Sequence, residues 1–314
     1  MQVLRGFPKR AQSACVLTIG NFDGLHRGHQ ALLKQLTDKA SALGLPAVVL
    51  TFEPHPREYF APESAPARLA SLREKLQLLA TSGVDRVHVC RFDARFAAQP
   101  ASAFIDDVLI RGLAVRHLFI GDDFRFGSGR TGDLAMLKAA GQAHGFEVES
   151  MHTLVVNGER ASSSAVRAAL ANGDLEHAAR LLGRLYSIAG RVVHGDKIGR
   201  QLGFPTLNIQ LKHRRPPVSG VFAVAVEGLD GRTLAGVANV GIRPTATDAG
   251  RARLEVHLLD WSGDCYGAHP RIHFLSKLRE EKKFASLDEL KEQIARDAER
   301  ARTWFEHNPT SLLG

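Results

Sequence analysis

The spacing of hydrophobic and polar positions divides the chain into halves of different period. In the first half, short apolar runs rich in β-branched residues stand at Val16-Leu17-Thr18-Ile19, Val48-Val49-Leu50-Thr51, Val87-His88-Val89 and Leu118-Phe119-Ile120, the pattern of buried strands. Helical spacing separates them. Leu32, Leu36, Ala40 and Leu43 fall on one face of a helix, and Leu69, Leu72, Leu76 and Leu79 repeat the pattern until Gly83 stops it. Strand–helix alternation predicts a parallel, Rossmann-like α/β sheet with helices on both faces. Ligands bind such sheets beyond the carboxyl ends of the strands. Function is therefore expected in the loops after Ile19, Thr51 and Ile120.

Near residue 185 the period changes. Short helices are predicted at Ser164–Leu170 and Leu175–Leu182, the second stopped by Gly183. Beyond Tyr186, the runs Ile188–Val193, Val221–Val226, Leu234–Val240 and Leu254–Leu259 read as strands with no helix between them, which predicts an antiparallel β-barrel or sandwich. A last helix opens at Ser286-Leu287-Asp288-Glu289, a capping-box pattern. Its apolar stripe, Leu290, Ile294, Ala298, Ala301 and Phe305, is expected to dock on the barrel. The boundary is placed at 184/185, giving domains 1–184 and 185–314.

The 314 residues carry 41 Lys and Arg against 33 Asp and Glu, a formal charge of +8. Such a balance favours polyanions, either nucleic acid or phosphorylated small molecules. The densest basic run, Lys212-His213-Arg214-Arg215, has no zinc finger, aromatic RNA-binding signature or basic arm beside it and reads as solvated surface. No apolar run reaches the ~20 residues of a bilayer span, and MQVLRGFPKR lacks an apolar secretion core. Cys15, Cys90 and Cys265 are odd in number and lie outside any C-x-x-C pair. The expectation is a cytoplasmic protein with small-molecule partners, no nucleic acid and no membrane.

Candidate chemistry begins at Gly20-Asn21-Phe22-Asp23-Gly24-Leu25-His26-Arg27-Gly28-His29, between the first strand and the first long helix. Glycines let the backbone approach a ligand, and the helix start favours an anion. His26 and His29, three apart, face one way on a first helical turn. They suit charge building on a departing pyrophosphate; a metal is the weaker reading, because no third ligand stands at helical spacing. Ser162-Ser163-Ser164 entering a helix is by itself an N-cap. Paired with the histidines, Ser163, Ser164 and Arg167 become a candidate triphosphate clamp. Gly195-Asp196-Lys197-Ile198-Gly199-Arg200 offers N–H groups and cations to polyphosphate, or is a turn-rich barrel loop. Gly127-Ser128-Gly129-Arg130-Thr131-Gly132 matches the dinucleotide fingerprint, but Asp122–Phe126 separate it from its strand. A glycine loop lining a flavin pocket is expected there rather than an NAD site. No Walker A motif is present.

The H-x-G-H between strand and helix resembles the nucleotidyltransferase superfamily. The longer GNFDGLHRGH resembles the bacterial bifunctional riboflavin kinase/FMN adenylyltransferases, the prokaryotic FAD synthetases. The resemblance runs on through Phe52-Glu53-Pro54-His55-Pro56, Gly121-Asp122-Asp123-Phe124-Arg125-Phe126-Gly127 and Ser162–Arg167, where Ser164 stands for the family's Thr. It continues at Pro205-Thr206-Leu207-Asn208, with Leu207 in place of Ala, and at Asn239–Thr245, Leu254–Asp260 and Leu278–Phe284. It implies a nucleotidyltransferase domain followed by a β-barrel kinase domain, ATP with Mg2+, and riboflavin, FMN and FAD as substrate and products. Gly20, Phe22, Asp23, Gly28, Ser163, Ser164 and Arg167 would bind nucleotide in one half, and Gly195, Lys197, Gly199 and Arg200 in the other. Asp123, Phe124, Arg125, Phe126 and Arg279 would bind flavin, and Thr206 and Asn208 the metal.

The expected protein phosphorylates riboflavin with its C-terminal half and joins FMN to the AMP part of ATP with its N-terminal half. The FMN phosphate is already ionised, so the first site is expected to hold charge stabilisers, His26 and His29, rather than a base. In the kinase a neutral hydroxyl attacks, where a base helps. The resemblance assigns that role to Glu255, which shares one side of its predicted strand with His257. Read without it, Glu255 is plain surface; Asp260 and Glu280 are the next candidates. Two other classes stay open: an RNA-binding protein, from the basic charge, and a flavin-binding protein keeping one activity, from Ser164 and Leu207.

Overall fold

The computed structural model describes residues 1–151, 154–156, 158–195, 198–211, 215–242 and 252–309. The chain divides into two units, Met1–Pro66 with Leu72–Ser162, and Ala67–Ser71 with Ser163–Gly314. The segment 163–182, on the N-terminal side of the expected boundary, thus groups with the second unit.

In the first unit, β1 (Gln2–Arg5), β2 (Cys15–Ile19), β3 (Ala47–Glu53), β4 (Arg86–Arg91), β5 (Val115–Gly121) and β6 (Glu147–Met151) form one sheet in the order β1-β4-β3-β2-β5-β6. Every pairing is parallel. The helices are α1 (Arg27–Leu43), α2 (Pro56–Phe60), α3 (Leu72–Ala80), α4 (Ala94–Ala97), α5 (Ala101–Phe104), which runs on as a π-helix over Ile105–Gly112, and α6 (Leu134–His144). In β2 and β3 the buried apolar residues alternate between two cores. Leu17, Ile19, Val48 and Leu50 pack with Phe104, Val108 and Leu137 on one face. Val16, Ala47 and Val49 pack with Leu33, Leu36 and Leu79 on the other. Burying one such side chain contributes about 1.5–3 kcal/mol, so the alternation sets which helix covers which face. A small hairpin, β7 (Val155–Val156) with β8 (Glu159–Arg160), follows.

Several sequence expectations shift here. Leu43, the last residue of α1 before Gly44 turns the chain with φ +63°, is 47% exposed, and Leu33 takes its place in the core. Leu69 precedes α3, whose buried members are Glu74, Lys75 and Leu79 rather than a leucine stripe. Strands β1 and β6 lacked an apolar run because each is an edge with a single neighbour. Gly127–Gly132 closes a turn bridged by Phe126 and Gly132, with a 3-10 turn at Ser128–Arg130 inside it, and α6 starts only past it, capped by the Asp133 side chain.

In the second unit, α7 (Ser163–Ala171) and α8 (Leu175–Leu182) precede a seven-stranded antiparallel sheet. Its strands are β9 (Ser187–Ala189), β10 (Val192–Val193), β11 (Thr206–Ile209), β12 (Gly220–Glu227), β13 (Leu234–Ile242), β14 (Ala252–Leu258) and β15 (Arg271–Arg279), with α9 (Ile198–Gln201) before β11. The order is β10-β11-β14-β13-β12-β15-β9. The expected strand Ile188–Val193 is therefore two strands, one at each edge, joined at Gly190-Arg191. That single bent segment pairs with β15 through one arm and β11 through the other, which curls the sheet. A Cβ at Gly190 would stand 2.5 Å from Ile209 and 2.9 Å from the Gln210 carbonyl, so the bend admits only glycine. The last helix, α10 (Leu287–His307), buries Ala298 and Ala301 against Val221 and Ala223, with Trp304 and Phe305 beside them. Its Ser286 cap accepts from Glu289 N, while the Glu289 carboxylate accepts from Ala285 N, one residue earlier than a capping box requires.

Candidate active sites

The chain leaves β2 along one direction of the sheet and returns to its other side with β5, so the crevice between their carboxyl ends is a switch point of the kind that receives ligands. A cavity of about 1070 Å³ opens there, lined by the loops after β2, β3 and β5. The β2–α1 turn is tightly built. Phe22 and Leu25 have φ of +49° and +40°, and a Cβ at Gly20 would press on the Phe22 ring at 3.1 Å. His26 is the N-cap of α1, extended rather than helical, and 7% exposed. His29, one turn on, stacks on it with ring centroids 3.7 Å apart, while Phe22 packs 5.1 Å from His29 on another side. Gly28 is dictated by space, because a Cβ there would meet both the Ala161 carbonyl and the His26 ring at 3.1 Å. Burial, with the neighbouring charges of His26 and Lys75, holds His29 well below the usual imidazole range. His29 is thus neutral at pH 7, and its Nδ1 is buried with no hydrogen-bond partner among the described residues.

Another part of the cavity lining is aromatic. Phe52, Phe92, Phe96, Phe104, Phe126 and Phe124 meet in a continuous series that runs from tilted and edge-on contacts to the stacked pair Phe124–Phe126, with centroid separations of 5.3–6.2 Å, and all six line the cavity. The expected flavin residues Asp123, Phe124, Arg125 and Phe126 lie on this wall. Arg125 pairs with Asp133 at 3.3 Å, and Asp123 with Arg160 at 3.5 Å. Phe60, Phe92, Phe96, Phe104 and Arg160 were not singled out from sequence. They come from separate segments with no motif of their own, and only an excess of Phe between residues 52 and 126 signals them.

Gly20, Phe22, Gly28, His26 and His29 line the same cavity, and Asp23 is buried in the turn beside them. Ser162 also lines it. Ser163, Ser164 and Arg167 stand on the first turns of α7 and belong to the second unit, where Arg167 Nε donates to the Ala67 carbonyl at 2.6 Å.

In the second unit, Glu255 sits on β14 directly opposite Asn208 of β11 on one side and Asn239 of β13 on the other. Cross-strand partners share a face, so the carboxylate and both amides form one polar row, with Thr206 and His257 paired beside them. Leu254, Val256 and Leu258 face the core. Glu255 has no ion pair or hydrogen bond among the described residues, whereas Asp260 is held by Arg302 at 2.9 Å and Glu280 by Lys277 at 2.6 Å. The Asn208 side chain covers Gly195, where a Cβ would come within 2.4 Å of its amide. A Cβ at Gly199 would strike the Phe204 carbonyl, also at 2.4 Å. Arg200 is exposed on α9. Lys197, the basic run 212–214 and the 243–245 part of the Asn239–Thr245 motif lie outside the described residues. Arg279 makes bonds of 2.7–3.0 Å to Asp297 of α10 and donates to the Glu280 carbonyl. Its charge is thereby engaged within the fold.

A family model described as FAD synthetase matches residues 8–165, and one described as riboflavin kinase matches residues 182–305. The chain is 52% identical over 308 residues to a bifunctional riboflavin kinase/FMN adenylyltransferase of Escherichia coli (strain K12), covering 97% of this chain and 98% of that one. It is 51% identical over 304 residues to the protein of the same name from Pseudomonas fluorescens, covering 96% and 97%. A crystal structure of a macrolide-efflux protein from Streptococcus pneumoniae is similar with a TM-score of 0.80 at 29% identity, over 97% of this chain and 100% of that one. Among the described residues, no helix is long and apolar enough to cross a membrane.

Proposed function

This chain belongs to the bacterial bifunctional riboflavin kinase/FMN adenylyltransferase family and makes FAD from riboflavin in two steps, and on that premise we propose how its residues divide them. Adenylyl transfer falls to residues 1–184 and riboflavin phosphorylation to residues 185–314. The observation that carries the first assignment is the single cavity joining a stacked histidine pair at a helix start to a wall of phenylalanines. Its volume lies just above the usual ~300–1,000 Å³ range for ligand pockets, which suits two substrates at once.

In adenylyl transfer an FMN phosphate oxygen attacks the α-phosphorus of ATP, and the bond to pyrophosphate breaks. The attacking oxygen is already anionic, so no base is required. Neutral His29 and capping His26 supply N–H groups where the leaving pyrophosphate gathers charge, and the α1 dipole adds to them. Ser163, Ser164 and Arg167 clamp the triphosphate. Phe124 and Phe126 offer their faces to the isoalloxazine ring, and Asp123 and Arg125 its polar contacts.

In the kinase, Glu255 takes the proton from the ribityl 5′-hydroxyl as that oxygen attacks the γ-phosphorus and ADP departs. Gly195, Lys197, Gly199 and Arg200 hold the phosphates. Thr206 and Asn208 are hard oxygen donors on the same face as Glu255, and glycine at 195 leaves room for the Asn208 amide; both fit magnesium. When bound, magnesium neutralises phosphate charge. Arg279 acts on flavin indirectly, by holding the segment after β15 against Asp297. The free thiols of Cys15, Cys90 and Cys265 support a cytoplasmic location.

Purified protein given riboflavin, ATP and magnesium, with flavins separated by chromatography, tests the division. FMN should precede FAD, and the variant carrying His26→Ala and His29→Ala should stop at FMN. Loss of both products in that variant would overturn it.

A further inference from the structure

Helix α3 buries two charged side chains, Glu74 and Lys75, beside the Leu79 of its expected leucine stripe. Lys75 is 2% exposed, and nothing in the two-step scheme uses it. Its Nζ lies 3.5 Å from Thr51 Oγ1 near the end of β3. That hydroxyl in turn donates to the Asn21 carbonyl, 3.3 Å away in the β2–α1 turn. Asn21 and Phe22 line the cavity, and Phe22 keeps a left-handed φ of +49°. A bulky residue holds that conformation only when its surroundings impose it. Burying an ammonium is costly even where it is partnered. A lysine retained here therefore points to a role other than packing.

Resting on the assignment of adenylyl transfer to this cavity, we propose that Lys75 is a positioning residue for that step, clamping the Asn21–Phe22 turn through Thr51 and placing a permanent positive charge beside the histidine pair. The charged groups acting on His29 are His26, from its own helix start, and Lys75, from α3; both, after burial, keep the imidazole neutral. Lys75 thus controls the turn by geometry and His29 by charge.

The test uses the full chain. Lys75→Met removes the charge and keeps the length of the side chain. Riboflavin phosphorylation should be unchanged. FMN adenylylation should fall about tenfold or more, in kcat rather than in KM, since a misplacement of about 1 Å costs on the order of 10² in rate. The His29 imidazole, followed by NMR, should titrate at higher pH than in the parent, a change that a purely structural lysine would not produce. Thr51→Val removes only the hydroxyl link, and should reproduce the loss of rate without moving that titration. Adenylylation within about threefold of the parent in either variant overturns the proposal. So does an unmoved His29 titration in Lys75→Met. Should Lys75→Met fail to fold, Thr51→Val decides by its rate. The variant with His26→Ala and His29→Ala is measured alongside. If it still makes FAD, the cavity assignment itself fails; if it is inert while Thr51→Val and Lys75→Met are fully active, only the role of Lys75 falls.

Discussion

The imidazoles of His26 and His29 stack 3.7 Å apart with their planes 25° from parallel, and Gly28 between them leaves no space for a side chain. Gly28→Ala should therefore push the His26 ring by a few tenths of an ångström. FAD formation from FMN should drop about tenfold, while riboflavin phosphorylation and the melting temperature barely change. Steady-state rates of the two half-reactions check this, and parental FAD synthesis would remove the steric reading of the motif.

Glu255, set between Asn208 and Asn239, invites the isosteric change Glu255→Gln. The shape is kept and the base is lost. Riboflavin phosphorylation should fall by about 10²–10⁴, with FMN adenylylation intact. Activity within a fewfold of the parent would rule out Glu255 as the base.

The Arg279–Asp297 pair separates a structural from a ligand-binding role. Arg279→Met strands a nearly buried carboxylate, and breaking such a pair costs about 3–5 kcal/mol. Adding Asp297→Leu should restore most of that stability in urea titrations. If the double variant is stable and still binds riboflavin like the parent, Arg279 acts through the fold. A lasting rise in KM for riboflavin would instead place its guanidinium at the flavin.

Burial holds both His29 and His88 below their ordinary value of 6.5. Below that pH the unfolded chain takes up protons that the folded chain refuses, so the stabilisation present above it is lost as pH falls. Urea midpoints should decline from pH 7.5 toward 5.5, and His29→Asn should make the slope shallower. A parental slope in that variant would show that His29 does not contribute.

A fragment of residues 185–314 should phosphorylate riboflavin, but less robustly than one of residues 163–314. The longer piece keeps α8, whose Leu175, Ala178, Leu181 and Leu182 are buried. Losing those contacts should lower the melting temperature by at least about 5 °C. Equal melting temperatures would show that α7 and α8 do not stabilise the sheet.

Much of this molecule is legible without coordinates. Buried strands must alternate and amphipathic helices must repeat every three to four residues, so Val16–Ile19, Val48–Thr51 and the Leu32–Ala40 face declare themselves. The H-x-G-H turn is equally local, because strand, glycine and helix start are consecutive. Harder to read were β1 and β6, edge strands with too few buried positions to make a pattern, and the bend at Gly190 that turns one apolar run into both edges of a sheet.

What sequence by itself determined is therefore what depends on neighbours in the chain: the periodicities, the change of class near residue 185, the glycine turns and the order of motifs. Tertiary structure alone decided that Glu74 and Lys75 are buried on a helix that reads as leucine-faced, that six phenylalanines from separate segments form one wall, and that Asp297 claims Arg279. Those outcomes rest on contacts between separate segments, Lys75 with Thr51 at 24 positions apart and Arg279 with Asp297 at 18. Their energies belong to pairs, and no local window of sequence contains both members.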